Sequence, residues 1–185
     1  MYFYTYISIK NKDIDNIFDL KISNNKRFTM EKIAVFPGSF DPFTLGHEDI
    51  VYRSLPLFDK VIIAIGENSN KNNMLSIEKR IKIINKVFNN NPKISVKAYS
   101  GLTINYCKEI GAKYIIRGLR NSLDFEYEKA IDQINKDIDE NIETIFFITS
   151  PDNSAISSSV LRDLNSHNYD IEKYLPTNIS LKDLL

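Results

Sequence analysis

PGSFDPFTLGH, running from Pro37 to His47, joins an apolar run, Lys32 to Phe36, to a segment of helical spacing that begins near His47. A strand that turns through small residues into a helix is a physical recipe for holding phosphate. Unpaired backbone N–H groups converge at the helix N-terminus, and the helix dipole favours negative charge there. Gly38 and Gly46 let backbone approach a ligand where a side chain would block it. The T-x-G-H step from Thr44 to His47 sets an imidazole in the first helical turn, within reach of a phosphate oxygen. Considered apart from its loop, His47 has a competing explanation as a histidine that caps or packs at a helix start. With its loop, it predicts a phosphorylated ligand.

Two further stretches carry anion-binding chemistry. IIRGLRNSLDFEYE, Ile115 to Glu128, puts Arg117 at a strand end and Arg120 just beyond it, with Gly118 between. Two guanidiniums there can grip phosphates bidentately and cannot lose their charge at neutral pH. The competing explanation is a surface arginine pair answering Asp124, Glu126 and Glu128 on the next helix. PDNSAISSSVLRDL, Pro151 to Leu164, offers several hydroxyls before an apolar helical pattern. Ser157 or Ser158 fits a simple N-cap, and with Arg162 one turn later the segment also fits an anion cradle. Lys71 sits in a polar loop after the second strand, where a solvated lysine is ordinary and only its position singles it out. His167 lies in a polar run and is read as exposed, and Cys107, in a helical run, as a small core residue.

Other chemistries lack their residues. There is no G-x-x-x-x-G-K-[ST] loop, no G-x-G-x-x-G after the first strand, no H-E-x-x-H and no G-x-S-x-G elbow. One cysteine excludes an internal disulfide framework. Lys plus Arg and Asp plus Glu number 24 each, so anion binding must be local and a nucleic-acid partner is not expected. No stretch approaches the ~20 apolar residues of a membrane span, and the start lacks the pattern of a secretory signal. A cytoplasmic protein without membrane attachment is the expectation.

At 185 residues the default is one domain. Residues 1–29 read as an N-terminal extension or a partly disordered arm, with an edge strand at Met1 to Ile9 and a polar helix at Asn11 to Asn25 as its local candidates. Residues 30–185 read as a single domain. In it, strands are predicted at Lys32 to Phe36, Lys60 to Gly66, Ile94 to Ala98, Tyr114 to Arg117 and Thr144 to Thr149. Helices are predicted at His47 to Leu55, Ser76 to Phe88, Thr103 to Ile110 and Ser122 to Ile138, with Ser76 as an N-cap and Gly111 as a stop signal. Near-continuous apolar strands alternating with helices predict an α/β fold with an open, doubly wound, five-stranded parallel sheet. Ligands of such sheets bind beyond the carboxyl ends of the strands, which is where the three stretches lie.

T-x-G-H after the first strand and I-S-S-S-x-x-R near the end resemble the paired signatures of the nucleotidyltransferase superfamily. PGSFDPFTLGHEDIV, IIRGLRNSLDFEYE and SPDNSAISSS, in that order, resemble bacterial-type phosphopantetheine adenylyltransferases from about Glu31 to Leu181, including the YLP of Tyr174 to Pro176. The resemblance implies a Rossmann-like nucleotidyltransferase fold, Mg²⁺ and a homohexamer. It also implies that ATP and 4′-phosphopantetheine give dephospho-coenzyme A and pyrophosphate. Carried over, His47 and Lys71 take the catalytic positions, and Ser39, Lys71, Thr103 and Arg117 bind the acceptor. Ser39, Phe40, His47, Gly118, Leu119, Arg120, Glu128, Asn153, Ser154, Ala155, Ile156, Ser157, Ser158 and Ser159 match the ATP site, and no protein residue is assigned as a metal ligand. A sister enzyme with another phosphorylated acceptor, or a non-catalytic nucleotide-binding module, would keep the first motif or the sheet alone.

Overall fold

The computed structural model describes residues 31–67, 73–89 and 91–184. The expectations for residues 1–29 and for Lys71 lie outside these. Five strands form one all-parallel sheet: β1 (Ile33–Gly38), β2 (Lys60–Gly66), β3 (Ile94–Tyr99), β4 (Tyr114–Leu119) and β5 (Glu143–Ile148), in the order β3-β2-β1-β4-β5. Each crossover carries a helix: α1 (Leu45–Ser54), α2 (Ile77–Val87), α3 (Thr103–Ile110) and α4 (Ser122–Ile138). After β5 come α5 (Ser158–Ser166) and the short α6 (Leu181–Leu184).

The central strands are apolar throughout because both sheet faces are covered, and alternate side chains go to opposite layers. Ala34, Phe36, Val61, Ile63, Ile65 and Ile116 join Ile50, Val51, Ile84 and Leu161 from α1, α2 and α5 in one core. Val35, Ile62, Ala64 and Ile115 pack with Ile104 and Cys107 of α3 in the other. Cys107 is the core residue its helical setting predicts, and burial pushes its thiol up to about 12. β5 closes one edge and is far less covered, with Ile148 74% exposed.

Helices α3 and α4 span the ranges predicted for them, Ser76 caps α2 by accepting from Lys79 N–H, and Gly111 ends α3 at φ 70°. Several other boundaries differ by one or two residues, and two of these differences bear on the site. β1 continues through Pro37 and Gly38, because ladder pairing with Ala64 and Ile65 extends it beyond the apolar run. α1 starts at Leu45 because Thr44 is its cap, which puts His47 at the third helical position. β1 and β4 are the central pair, so the chain reverses its order across the sheet between them, and the turns that leave them face each other.

Candidate active site

The β1–α1 turn is held by buried contacts, in which aromatic rings pack together and charged side chains bond to backbone groups. The Cβ of any larger residue at Gly38 would stand 2.8 Å from the Phe40 ring, so glycine is what lets that ring fold back over the strand end. Phe40 itself has φ 49°, a left-handed backbone that a bulky residue adopts only when its surroundings enforce it. Phe36 meets it edge-on at 5.3 Å. The Asp41 carboxylate, 1% exposed, accepts from Met74 N–H at 2.8 Å and Leu75 N–H at 2.9 Å, tying the turn to the segment before α2.

His47 closes a reciprocal cap at the start of α1. Thr44 Oγ1 accepts from His47 N–H, and His47 Nδ1 accepts from Thr44 N–H at 3.1 Å. An Nδ1 that accepts leaves the ring proton of neutral imidazole on Nε2. The ring lies among Phe36, Phe40 and Phe43, with centroids 6.2, 5.1 and 5.3 Å away. Burial first, and the positive charge of Arg120 second, lower its pKa to about 4. At neutral pH His47 is therefore an uncharged donor with a fixed tautomer. The capping explanation and the functional one are both true of it, since the cap is what orients the ring.

The β4–α4 turn is built from charges. Arg117 Nε donates to Glu128 Oε2 at 2.7 Å, its Nη2 donates to Glu128 Oε1, and its Nη1 donates to the Pro37 carbonyl at 3.0 Å. Arg120 donates to Asp124 through Nε and Nη2 at 2.9 and 3.1 Å, a bond that raises the arginine's pKa and lowers the carboxylate's. Both pairs are those of the surface-pair explanation, yet both arginines also line a cleft. A Cβ at Gly118 would fall 2.3 Å from Ile50 Cδ1, so a side chain there would force the Ile50 tip to move where β4 passes α1.

Helix α5 supplies a third wall. Ser157 is its N-cap, accepting from Val160 N–H at 3.2 Å, and Ser158 Oγ donates to the Pro42 carbonyl at 2.9 Å. Arg162, which its spacing sets beside these serines, does not line the cleft. Its Nη1 donates to the Asp41 carbonyl at 2.6 Å, and it holds the first turn instead.

These walls enclose a cleft of about 290 Å³ at the carboxyl end of the sheet. Of the residues expected in a site, Ser39, Phe40, His47, Arg117, Gly118, Arg120, Glu128, Ile156, Ser157, Ser158 and Ser159 line it. Leu119, Asn153, Ser154 and Ala155 do not, although Asn153 packs near Gly46. Asp124 and Thr149 line it without having been expected, and Thr149, one residue past β5, was within reach of the strand-end rule.

A second cleft of about 280 Å³ lies on the other side of Arg117 and shares Pro37, Arg117 and Glu128 with the first. It is more apolar, lined by Leu102, Ile115 and the Ile131, Ile134 and Ile138 stripe of α4, together with Thr103. The Thr103 hydroxyl is hydrogen-bonded to Tyr99 at 2.7 Å. Asp132 also lines it, and Asp132 Oδ1 has no hydrogen-bond partner among the described residues. The spacing of Ile131, Ile134 and Ile138 on α4 is the sequence signal that could have pointed to this cleft.

No cluster of three or more histidines, cysteines or carboxylates suited to a metal occurs among the described residues. The carboxylates of the first cleft, Asp124 and Glu128, are both engaged by arginines. The donor set thus fits an ion that arrives on a polyphosphate better than one held by protein ligands.

A helix N-terminus, a neutral histidine and two arginines meet at the switch point of a parallel sheet, an arrangement whose chemistry suits phosphate, on a fold of the nucleotidyltransferase class. Comparison with known proteins agrees: the cytidylyltransferase-like family profile matches residues 35–164. In structure the chain is similar to a bifunctional NMN adenylyltransferase/ADP ribose pyrophosphatase from Francisella tularensis. The TM-score is 0.63 at 18% identity, covering 81% of this chain and 46% of that one, a likeness of fold. In sequence it is 54% identical over 150 residues to a phosphopantetheine adenylyltransferase of Cytophaga hutchinsonii, covering 81% of this chain and 100% of that one. With the phosphopantetheine adenylyltransferase of Flavobacterium psychrophilum it shares 50% over 149 residues, covering 80% and 98%. The chain belongs to the phosphopantetheine adenylyltransferase family.

Proposed function

We propose that the chain transfers the adenylyl group of ATP to 4′-phosphopantetheine, giving dephospho-coenzyme A and pyrophosphate in coenzyme A biosynthesis. The observation that carries this reading is the pair of clefts meeting at Arg117, one rich in phosphate donors and one lined with apolar side chains. An acceptor with a phosphate at one end and a long arm behind it suits that pair. Its phosphate oxygen attacks the α-phosphorus of ATP, the bond to the bridging oxygen breaks, and pyrophosphate leaves opposite. No protein nucleophile is needed. Catalysis is positioning and stabilisation of charge on the phosphoryl oxygens.

In this reading His47 Nε2–H donates to the α-phosphate, and Arg117 and Ser39 hold the acceptor's phosphate. Thr103 faces the acceptor's arm, and Lys71, placed by family resemblance alone, neutralises charge near the reacting phosphates. The N-terminus of α5 from Ser157 to Ser159, with Arg120, holds the leaving pyrophosphate. Gly118 and Phe40 offer backbone to the nucleotide, Glu128 fixes Arg117, and Leu119 and the stretch Asn153 to Ile156 border the site. Mg²⁺ enters on the polyphosphate and screens its charge.

Residues 30–185 form the catalytic unit, which works in the cytoplasm without nucleic-acid or membrane partners. Assembly to a homohexamer is supported by apolar side chains left exposed beside the sheet edge: Leu123, Tyr127 and Ile148 are 80, 68 and 74% exposed. Light scattering checks that assembly. The activity is tested by pyrophosphate release from ATP with and without 4′-phosphopantetheine, with nicotinate mononucleotide as the competing acceptor. Release that depends on 4′-phosphopantetheine supports the reading, and release driven only by the competitor overturns it.

A further inference from the structure

Arg80, in the second turn of α2, lines neither cleft and yet is 2% exposed, among the largest fully buried side chains of the structure. Arginine is almost never buried unless its donors are used. Here Nη1 donates to the Ser39 carbonyl at 2.8 Å and Nε to the Ser76 carbonyl at 3.4 Å. The first of these reaches directly under the turn that forms one wall of the nucleotide cleft.

A trans peptide unit is planar, with its C=O and N–H on opposite sides. Fixing the Ser39 carbonyl on a buried guanidinium therefore fixes the Phe40 N–H in the opposite direction, away from α2. Ser39 and Phe40 both line the cleft, and Phe40 N–H donates to no acceptor among the described residues. We infer that Arg80 is a positioning residue, which locks the Ser39–Phe40 peptide so that Phe40 N–H is held as a donor toward a nucleotide phosphate. The Asp41 carboxylate on Met74 and Leu75 and the Arg162 guanidinium on the Asp41 carbonyl fix the next peptides of the turn, so that Arg80 sets one plane in an already anchored loop. The inference rests on the reading of this cleft as the ATP site.

Arg80→Lys keeps the charge but loses the planar fork that reaches two carbonyls, and Arg80→Gln loses both. Direct ATP binding, acceptor binding and kcat are measured on variants shown to be folded by circular dichroism. The expected result is ATP affinity weakened roughly 10- to 100-fold in Arg80→Gln, the size of a charge-assisted hydrogen bond, with acceptor affinity within twofold of wild type. A merely structural role would leave ATP affinity per folded molecule unchanged, or would weaken both ligands together, and either result overturns the inference. A measurement on the wild type stands apart from folding of the variants: ATP should shift the Phe40 amide resonance in a ¹⁵N-labelled sample, and an unmoved resonance at saturation overturns the inference as well. Wild type that binds no ATP sinks the reading of the cleft too, whereas wild type that binds ATP beside unaffected variants sinks the role of Arg80 alone.

Discussion

The two turns that face each other across the sheet reach the same cleft by opposite means. The β1–α1 turn is held by aromatic packing, a reciprocal cap and buried backbone contacts, and the titratable group it presents, His47, is neutral. The β4–α4 turn presents two arginines, each already paired with a carboxylate. A half-buried neutral donor held by a cap acts with little reorganisation and little sensitivity to salt. Paired charges at a cleft mouth can trade a carboxylate for a phosphate. The first turn is thus suited to the reacting phosphorus, and the second to groups that arrive and leave.

The sharpest way to break that division is to remove the neutral donor. His47→Ala is expected to lower kcat for pyrophosphate release by about 10²–10³, as for loss of one preorganised oxyanion donor, with ATP affinity changed far less. Near-normal turnover by a folded variant would end the catalytic role of His47.

Its neutrality has a consequence for stability. The unfolded imidazole takes up a proton near its ordinary pKa of 6.5, whereas the folded one waits until about 4. The contribution is fully present above pH 6.5 and is lost as pH falls toward 4, to a total of about 3 kcal/mol at 1.36 kcal/mol per unit. Urea unfolding of wild type and His47→Gln across this window measures it. Wild type should lose more stability than the variant on acidification. Parallel curves would show that His47 is not held neutral.

Gly118 is where the two turns depend on each other, since a side chain there would displace the Ile50 tip from between β4 and α1. Gly118→Ala should destabilise by about 1–3 kcal/mol through overpacking. Adding Ile50→Val removes the Cδ1 atom that the new methyl meets, and should recover part of the loss in the same denaturation measurement. No recovery would place the strain elsewhere.

What the sequence disclosed follows the same divide. The sheet, α3 and α4 were legible because apolar runs and helical spacing are local signals, and Ser76 and Gly111 because capping is local too. Arg117, Arg120 and the serines before α5 were legible because strand ends collect ligands. Arg80 and Arg162 were not, because burial and the choice of a carbonyl over an anion depend on elements far apart in the chain. The second cleft escaped for a related reason: helical spacing alone does not say whether the isoleucine face of α4 is packed, and only the tertiary arrangement leaves that face open beside Arg117.

The smallest effect separates the two arginine pairs. Arg120–Asp124 is an i,i+4 pair with side chains 38 and 22% exposed, so Asp124→Asn should change stability by less than about 0.5 kcal/mol. Glu128 is 9% exposed, and in Glu128→Gln the Arg117 guanidinium would lose its charged partner below the surface, a costlier change. Asp124→Asn also removes a negative charge from the wall of the cleft. ATP affinity should therefore rise by two- to threefold at low salt and return to the wild-type value near 0.5 M, where screening is short. Isothermal titration at two ionic strengths decides this. A loss of affinity would mean that Asp124 orients Arg120 for the nucleotide and does not compete with it, and the β4–α4 turn would then be as preorganised as the one it faces.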